Sequence, residues 1–158
     1  MFSGQLVRLT PIGLRHLDAM YKGWNNPRMK RFLHGAIPDA YESEEAWIRR
    51  QIRQMENRTA FLFAIERLKD DAFIGTVGVH SIDWMARTAG VGIAIHGPEN
   101  WNKGYGTEAL SLLIDFAWSH LNLRRLELSV YDFNERARHV YEKLGFRVYG
   151  TAHEAQFI

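Results

Sequence analysis

The chain has 158 residues, of which 46% are apolar and 24% charged, with a formal net charge of +2. That length and composition fit one globular domain, 1–158, and the small charge, with no run of Lys and Arg among stacking aromatics, argues against a nucleic-acid partner. The lack of cysteine excludes disulfides and thiolate metal sites, and no apolar stretch nears the roughly 20 residues of a membrane span, so the expectation is a cytoplasmic protein with no membrane partner.

In chain order, QLVRLT (Gln5 to Thr10) alternates as a half-buried strand and stops at Pro11. Leu14, Leu17, Asp18 and Tyr21 then have helical spacing, ending at Asn25-Asn26-Pro27. After an irregular stretch from Pro27 to Asp39, Ser43 is a suitable N-cap ahead of Glu44 and Glu45, for a helix that turns Trp47, Ile48 and Ile52 inward. Three strands follow, Ala60 to Leu68, Ala72 to His80 and Ala89 to Ile95, and the short links between them predict antiparallel hairpins. A glycine loop leads into a long helix carrying Ala109, Leu112, Leu113, Phe116 and Ala117. Arg124 to Asp132 reads as a strand, Asn134 to Gly145 as a helix with an Asn cap and a Gly stop, and Phe146 to Gly150 as a last strand. The sum is an α+β domain.

The glycine loop NKGYGTEA, Asn102 to Ala109, carries the first chemical signal. A helix N-terminus has unpaired N–H groups and the positive end of a dipole, so Gly104 and Gly106 beside Lys103 suit a phosphate. Three readings compete: a helix start that needs glycine only for packing, a dinucleotide fingerprint, and another phosphate-bearing ligand. The dinucleotide reading wants the first glycine directly after the first strand of a parallel βαβ unit. Here HGPENWNK intervenes and three antiparallel strands precede the loop, which argues against it.

Together with NERARHVYEKLGF (Asn134 to Phe146), the loop resembles the GNAT superfamily of N-acetyltransferases, in the branch that includes ribosomal-protein N-terminal (alanine/serine) acetyltransferases and spermidine acetyltransferases. The resemblance implies a mixed, mostly antiparallel sheet of six strands, normally seven, with helices on both faces and a V-shaped splay between the fourth and fifth. It also implies acetyl-CoA as cosubstrate and no metal. Its pyrophosphate would rest on the amides of Lys103, Gly104, Tyr105, Gly106 and Thr107, and its pantetheine arm would run beside the fourth strand around Ile93, Ala94 and Ile95. Asn134 would cap its helix and also contact the CoA arm. Many members have Gln or Arg where this chain has Trp101, a departure that weakens one side-chain contact and leaves the amides intact.

Acetyl transfer from a thioester to an amine needs a neutral amine, a polarised carbonyl and a proton for the departing thiolate. Tyr141 matches the family's acid, and a phenol stays protonated at neutral pH; the plainer alternative is a core tyrosine sharing a face with Ala137 and Leu144. No base is evident. His80, Asp83 and His96 are candidates from strand ends, and deprotonation through water is preferred to any of them. The seven histidines show no compact ligand spacing such as H-x-x-x-H, so no metal is expected. The segment from Asn25 to Ser43 is expected to wall the acceptor, a protein N-terminus, a polyamine or a small amine. Asp39, Glu42, Glu44 and Glu45 would attract a cationic amine there or simply satisfy a helix dipole.

Family members usually continue into a seventh strand inserted between the fifth and sixth, whereas this sequence stops at Ile158. The expectation is a shortened chain, or a slot filled by a partner chain in a homodimer with strand exchange. The lack of cysteine argues for direct attack without an acyl-cysteine. The rival function is a catalytically silent CoA-binding module of the same fold.

Overall fold

The computed structural model describes residues 2–26, 39–130 and 134–150. Among the described residues six strands form one sheet in the order β1-β2-β3-β4-β5-β6: β1 Phe2–Ser3, β2 Val7–Pro11, β3 Phe61–Arg67, β4 Ala72–Asp83, β5 Thr88–Ile95 and β6 Arg125–Glu127. Every neighbouring pair is antiparallel except β5 and β6. The described helices are α1 Leu17–Trp24, α2 Tyr41–Glu56, α3 Tyr105–Ser119 and α4 Glu135–Lys143, with 3-10 turns at Leu14–His16 and Pro98–Asn100.

The alternation within β3 explains the layering. Phe61, Phe63 and Ile65 point to one face, where they pack with Ala109, Leu110, Leu113, Phe116 and Ala117 of α3. Ala64 points to the other face, into a smaller cluster with Leu17 and Met20 of α1 and Ile48 of α2. Period-two side-chain alternation therefore gives a central strand two buried faces and puts helices on both sides of the sheet.

β5 and β6 pair only from Thr88 with Arg125 to Gly90 with Glu127. Beyond Gly90 the ladder ends, while β5 continues to Ile95 along β4, so the expected splay lies between these two strands. The same divergence cuts the predicted strand Arg124 to Asp132 to three residues among those described, because a strand needs a ladder partner.

Two other expectations fail. α2 begins at Tyr41 with Ala40 in the N-cap position, so Ser43 lies inside the first turn and caps nothing. A tertiary anchor outweighs the local cap: the Tyr41 hydroxyl donates to Asp18 of α1 at 2.6 Å, and its ring meets Tyr21 edge-on. Residues 146–150 form no strand. Gly145, at φ +97°, ends α4, the Phe146 N–H closes on the Tyr141 carbonyl at 3.0 Å, and Val148 and Tyr149 are exposed. The sixth strand is instead β1, whose two residues are too few to show a period. Residues 151–158, the last before the point where a seventh strand is expected to be missing, lie outside the described residues, as do residues 27–38 of the expected acceptor wall.

Candidate active site

The N-terminus of α3 leaves its first N–H groups without a side-chain cap. Its N-cap, Gly104, has φ +84°, a left-handed conformation that costs glycine little, and supplies no side-chain cap. Glu108 N–H makes the first intrahelical bond, to Gly104 O at 3.1 Å. The N–H groups of Tyr105, Gly106 and Thr107 precede that first bond and have no intrahelical acceptor. The Tyr105 side chain is buried in the core, and Lys103 is exposed beside the turn.

The loop before α3 is pinned to the sheet. Asn100 donates to the His96 carbonyl at 2.9 Å and accepts from the Arg67 guanidinium at 2.6 Å. The Trp101 indole donates to the Ile95 carbonyl at 3.0 Å, and the Arg136 guanidinium lies 4.5 Å from the centre of its ring. Trp101 and Arg136 thus form a cation–π wall at the position where the resembling family often has a polar side chain.

α4 begins at Asn134, whose buried side chain accepts the Ala137 N–H at 3.2 Å. That cap turns Ala137, Val140 and Tyr141 toward β5. The resulting cleft is lined by Ile93, Ala94 and Ile95 of β5, by Trp101, Gly106 and Leu110, and by Asn134, Arg136, Ala137, Val140 and Tyr141. Burial pushes the Tyr141 phenol above its ordinary pKa, against the opposing influence of Arg136, so the group stays protonated through neutral pH. Its ring meets Phe146 edge-on at 6.1 Å.

The edge of β5 that faces the cleft is defined by its register. His96 N–H bonds Ile74 O at 2.7 Å, and Ala94 lies opposite Thr76, so the backbone groups of Ala94 are turned toward β4. Alternation turns those of Ile93 and Ile95 the other way, toward the splay. The Ile95 carbonyl is taken by Trp101, which leaves the Ile93 N–H and C=O and the Ile95 N–H on the open side. Ala94 lines the cleft without presenting backbone groups to it.

Of the residues expected from sequence, Ile93, Ala94, Ile95, Gly106, Asn134 and Tyr141 come together in one cleft, while Lys103, Gly104, Tyr105 and Thr107 flank Gly106 on the same turn. Arg136 was not anticipated; its spacing of two from the cap Asn134 was the available signal. None of the three candidate bases lines the cleft. His80 is exposed with its Nδ1 3.0 Å from the Ser81 hydroxyl, and Asp83 accepts the N–H groups of Met85 and Ala86 to hold a hairpin turn. His96 is buried against Phe73 and Trp24, and burial lowers its pKa to about 4, so it is neutral at pH 7.

Of the acidic group near the expected acceptor wall, Asp39 accepts from the Trp24 indole at 2.7 Å, Glu45 pairs with Arg49, and Glu42 is exposed. Glu44 is buried in the first turn of α2. Among the described residues no group of three or more His, Cys, Asp or Glu side chains is placed to hold a metal ion, and no helix is long and apolar enough to cross a membrane.

The acetyltransferase (GNAT) domain family model matches residues 7–147. The spermidine N(1)-acetyltransferase of Escherichia coli (strain K12) is 31% identical over 158 residues, spanning 100% of this chain and 82% of that protein. A probable N-acetyltransferase of Bacillus subtilis (strain 168), YjcK, is 33% identical over 157 residues, spanning 96% of this chain and 86% of that protein. The crystal structure of spermidine N-acetyltransferase from Vibrio cholerae in complex with CoA and spermine shares the fold, with a TM-score of 0.84 at 24% identity over 96% of this chain and 87% of that one.

Proposed function

Because the chain belongs to the acetyltransferase (GNAT) family, we propose that it transfers the acetyl group of acetyl-CoA directly to a primary alkyl amine, with a polyamine as the acceptor class. One observation carries the reading: an open strand edge, a buried phenol and Gly106 line a single cleft, and Gly106 sits in a helix turn whose N–H groups have no intrahelical acceptor. The amides of Tyr105, Gly106 and Thr107 suit a pyrophosphate, with Lys103 adding charge. The open backbone groups of Ile93 and Ile95 suit an extended amide-containing arm, bound as an added strand. The polyamine class rests on the similarity to the Escherichia coli spermidine enzyme, which spans 158 residues of this chain and 82% of that protein.

The neutral amine nitrogen attacks the thioester carbonyl carbon, the C–N bond forms and the C–S bond breaks. The sulfur takes its proton from the Tyr141 hydroxyl, which burial keeps loaded, and the phenolate is reprotonated from solvent. With His80, Asp83 and His96 all outside the cleft, the acceptor ammonium loses one proton to water before the attack, and the nitrogen gives up its second proton through water once the C–N bond has formed. No residue of this chain forms a covalent intermediate.

Calorimetric titration with acetyl-CoA, with NADH as control, followed by thiol release with spermidine or with an alanine-initiated peptide, tests the reading. Acetyl-CoA binding and faster thiol release with spermidine are expected. Binding without release over a wide amine panel would instead identify a silent CoA-binding module, and a faster reaction with the peptide would move the acceptor to protein N-termini.

A further inference from the structure

The motif that opens α3 contains a residue that acetyl transfer leaves without a role. Glu108 lies in the first turn of α3, and its carboxylate accepts three consecutive backbone N–H groups from the turn between β1 and β2. Gln5 donates to Oε1, and Leu6 and Val7 to Oε2, each at 2.7 Å. The turn is itself closed by Gly4 N–H on Val7 O at 2.9 Å. It fits tightly around the carboxylate, since a Cβ at Gly4 would lie 2.4 Å from Glu108 Cδ. Leu6 also reaches the loop, with its Cδ1 3.4 Å from where a Cβ at Gly104 would stand.

An acidic side chain in a first helical turn complements the dipole even when it is surrounded by water. Three short charge-assisted bonds to a different element do something more specific, because they fix the position and tilt of that turn against the sheet. They also spread the carboxylate charge over three donors beside a turn meant to receive an anion.

Resting on the acetyl-CoA reading above, we propose that Glu108 is a positioning residue for the pyrophosphate site. It clamps the first turn of α3 to the β1–β2 turn and so sets the direction of the Tyr105, Gly106 and Thr107 N–H groups. The clamp has two halves that can be broken separately. Glu108→Gln keeps the shape but removes the charge and turns an NH2 toward at least one N–H donor. Gly4→Ala keeps the charge and displaces the carboxylate.

The test is calorimetric titration of CoA into the wild-type protein, E108Q, G4A and the double variant, with steady-state kinetics on acetyl-CoA and spermidine. Ile48→Val, in the cluster on the opposite face of the sheet, controls for general loosening. Each single variant is expected to bind CoA roughly tenfold more weakly, the loss of about one charge-assisted hydrogen bond. The double variant should be no weaker than either single, as for two changes at one joint. The KM for acetyl-CoA should rise while that for spermidine holds. If E108Q does not fold, G4A decides. Wild-type binding of CoA with unchanged affinity in both singles overturns the clamp alone, and so does equal weakening in I48V at a matched melting temperature. A wild-type protein that does not bind CoA overturns the acetyl-CoA reading and the clamp with it.

Discussion

Acid should destabilise this protein through His96. The residue is 5% exposed, its ring lies between Phe73 and Trp24, and its Nδ1 has no hydrogen-bond partner. Burial depresses its pKa from 6.5 to about 4. Above about pH 6.5 the group is neutral in both folded and unfolded chains and costs nothing on titration. As pH falls toward 4 the unfolded chain takes up a proton that the folded chain refuses, and stability drops by about 1.4 kcal/mol per pH unit. Between pH 7.5 and 4.5 the loss assigned to this one residue is about 2.5 kcal/mol. His16, buried and also depressed by desolvation, acts in the same direction, so the measurement must isolate His96. Urea unfolding of the wild type and of His96→Leu at several pH values in this range does so. The difference between their stabilities should change by about 2.5 kcal/mol in favour of the variant as pH falls. At pH 7.5 the variant should be no less stable, since it removes a buried polar atom without a partner. Stability curves that stay parallel over the whole range would refute the assignment of His96 as a buried, neutral ring.

Three further outcomes follow from the site. Tyr141→Phe should lower kcat by roughly 10²- to 10⁴-fold, the usual contribution of a positioned general acid, with CoA affinity by calorimetry held near the wild-type value. Gly104→Ala forces a left-handed conformation at the helix start, so melting should report a loss of about 1–2 kcal/mol, accompanied by weaker acetyl-CoA binding. Asn134→Ala removes the cap of α4 and should cost about 1 kcal/mol in chemical denaturation, with Tyr141 less well held and kcat reduced.

The sequence alone determined the features that depend on neighbours along the chain. Period-two alternation located β2, three runs joined by short links located β3 to β5, the spacing of Ala109, Leu113, Phe116 and Ala117 located the core face of α3, and the two motifs pointed to the GNAT family. Asn134 and Gly145 marked the ends of α4 because a cap and a left-handed stop are local chemistry. What tertiary structure decided are the features whose cause lies far away in sequence. The start of α2 follows from a bond between Tyr41 and Asp18, and the length of β6 from where β5 parts from it. The idle state of His96 follows from burial, the wall made by Trp101 and Arg136 from the meeting of a loop and a helix, and the three N–H groups on Glu108 from a hairpin about a hundred residues earlier. Periodicity records which face of an element is apolar, whereas the partner that a polar side chain finds depends on which elements the folded chain brings together.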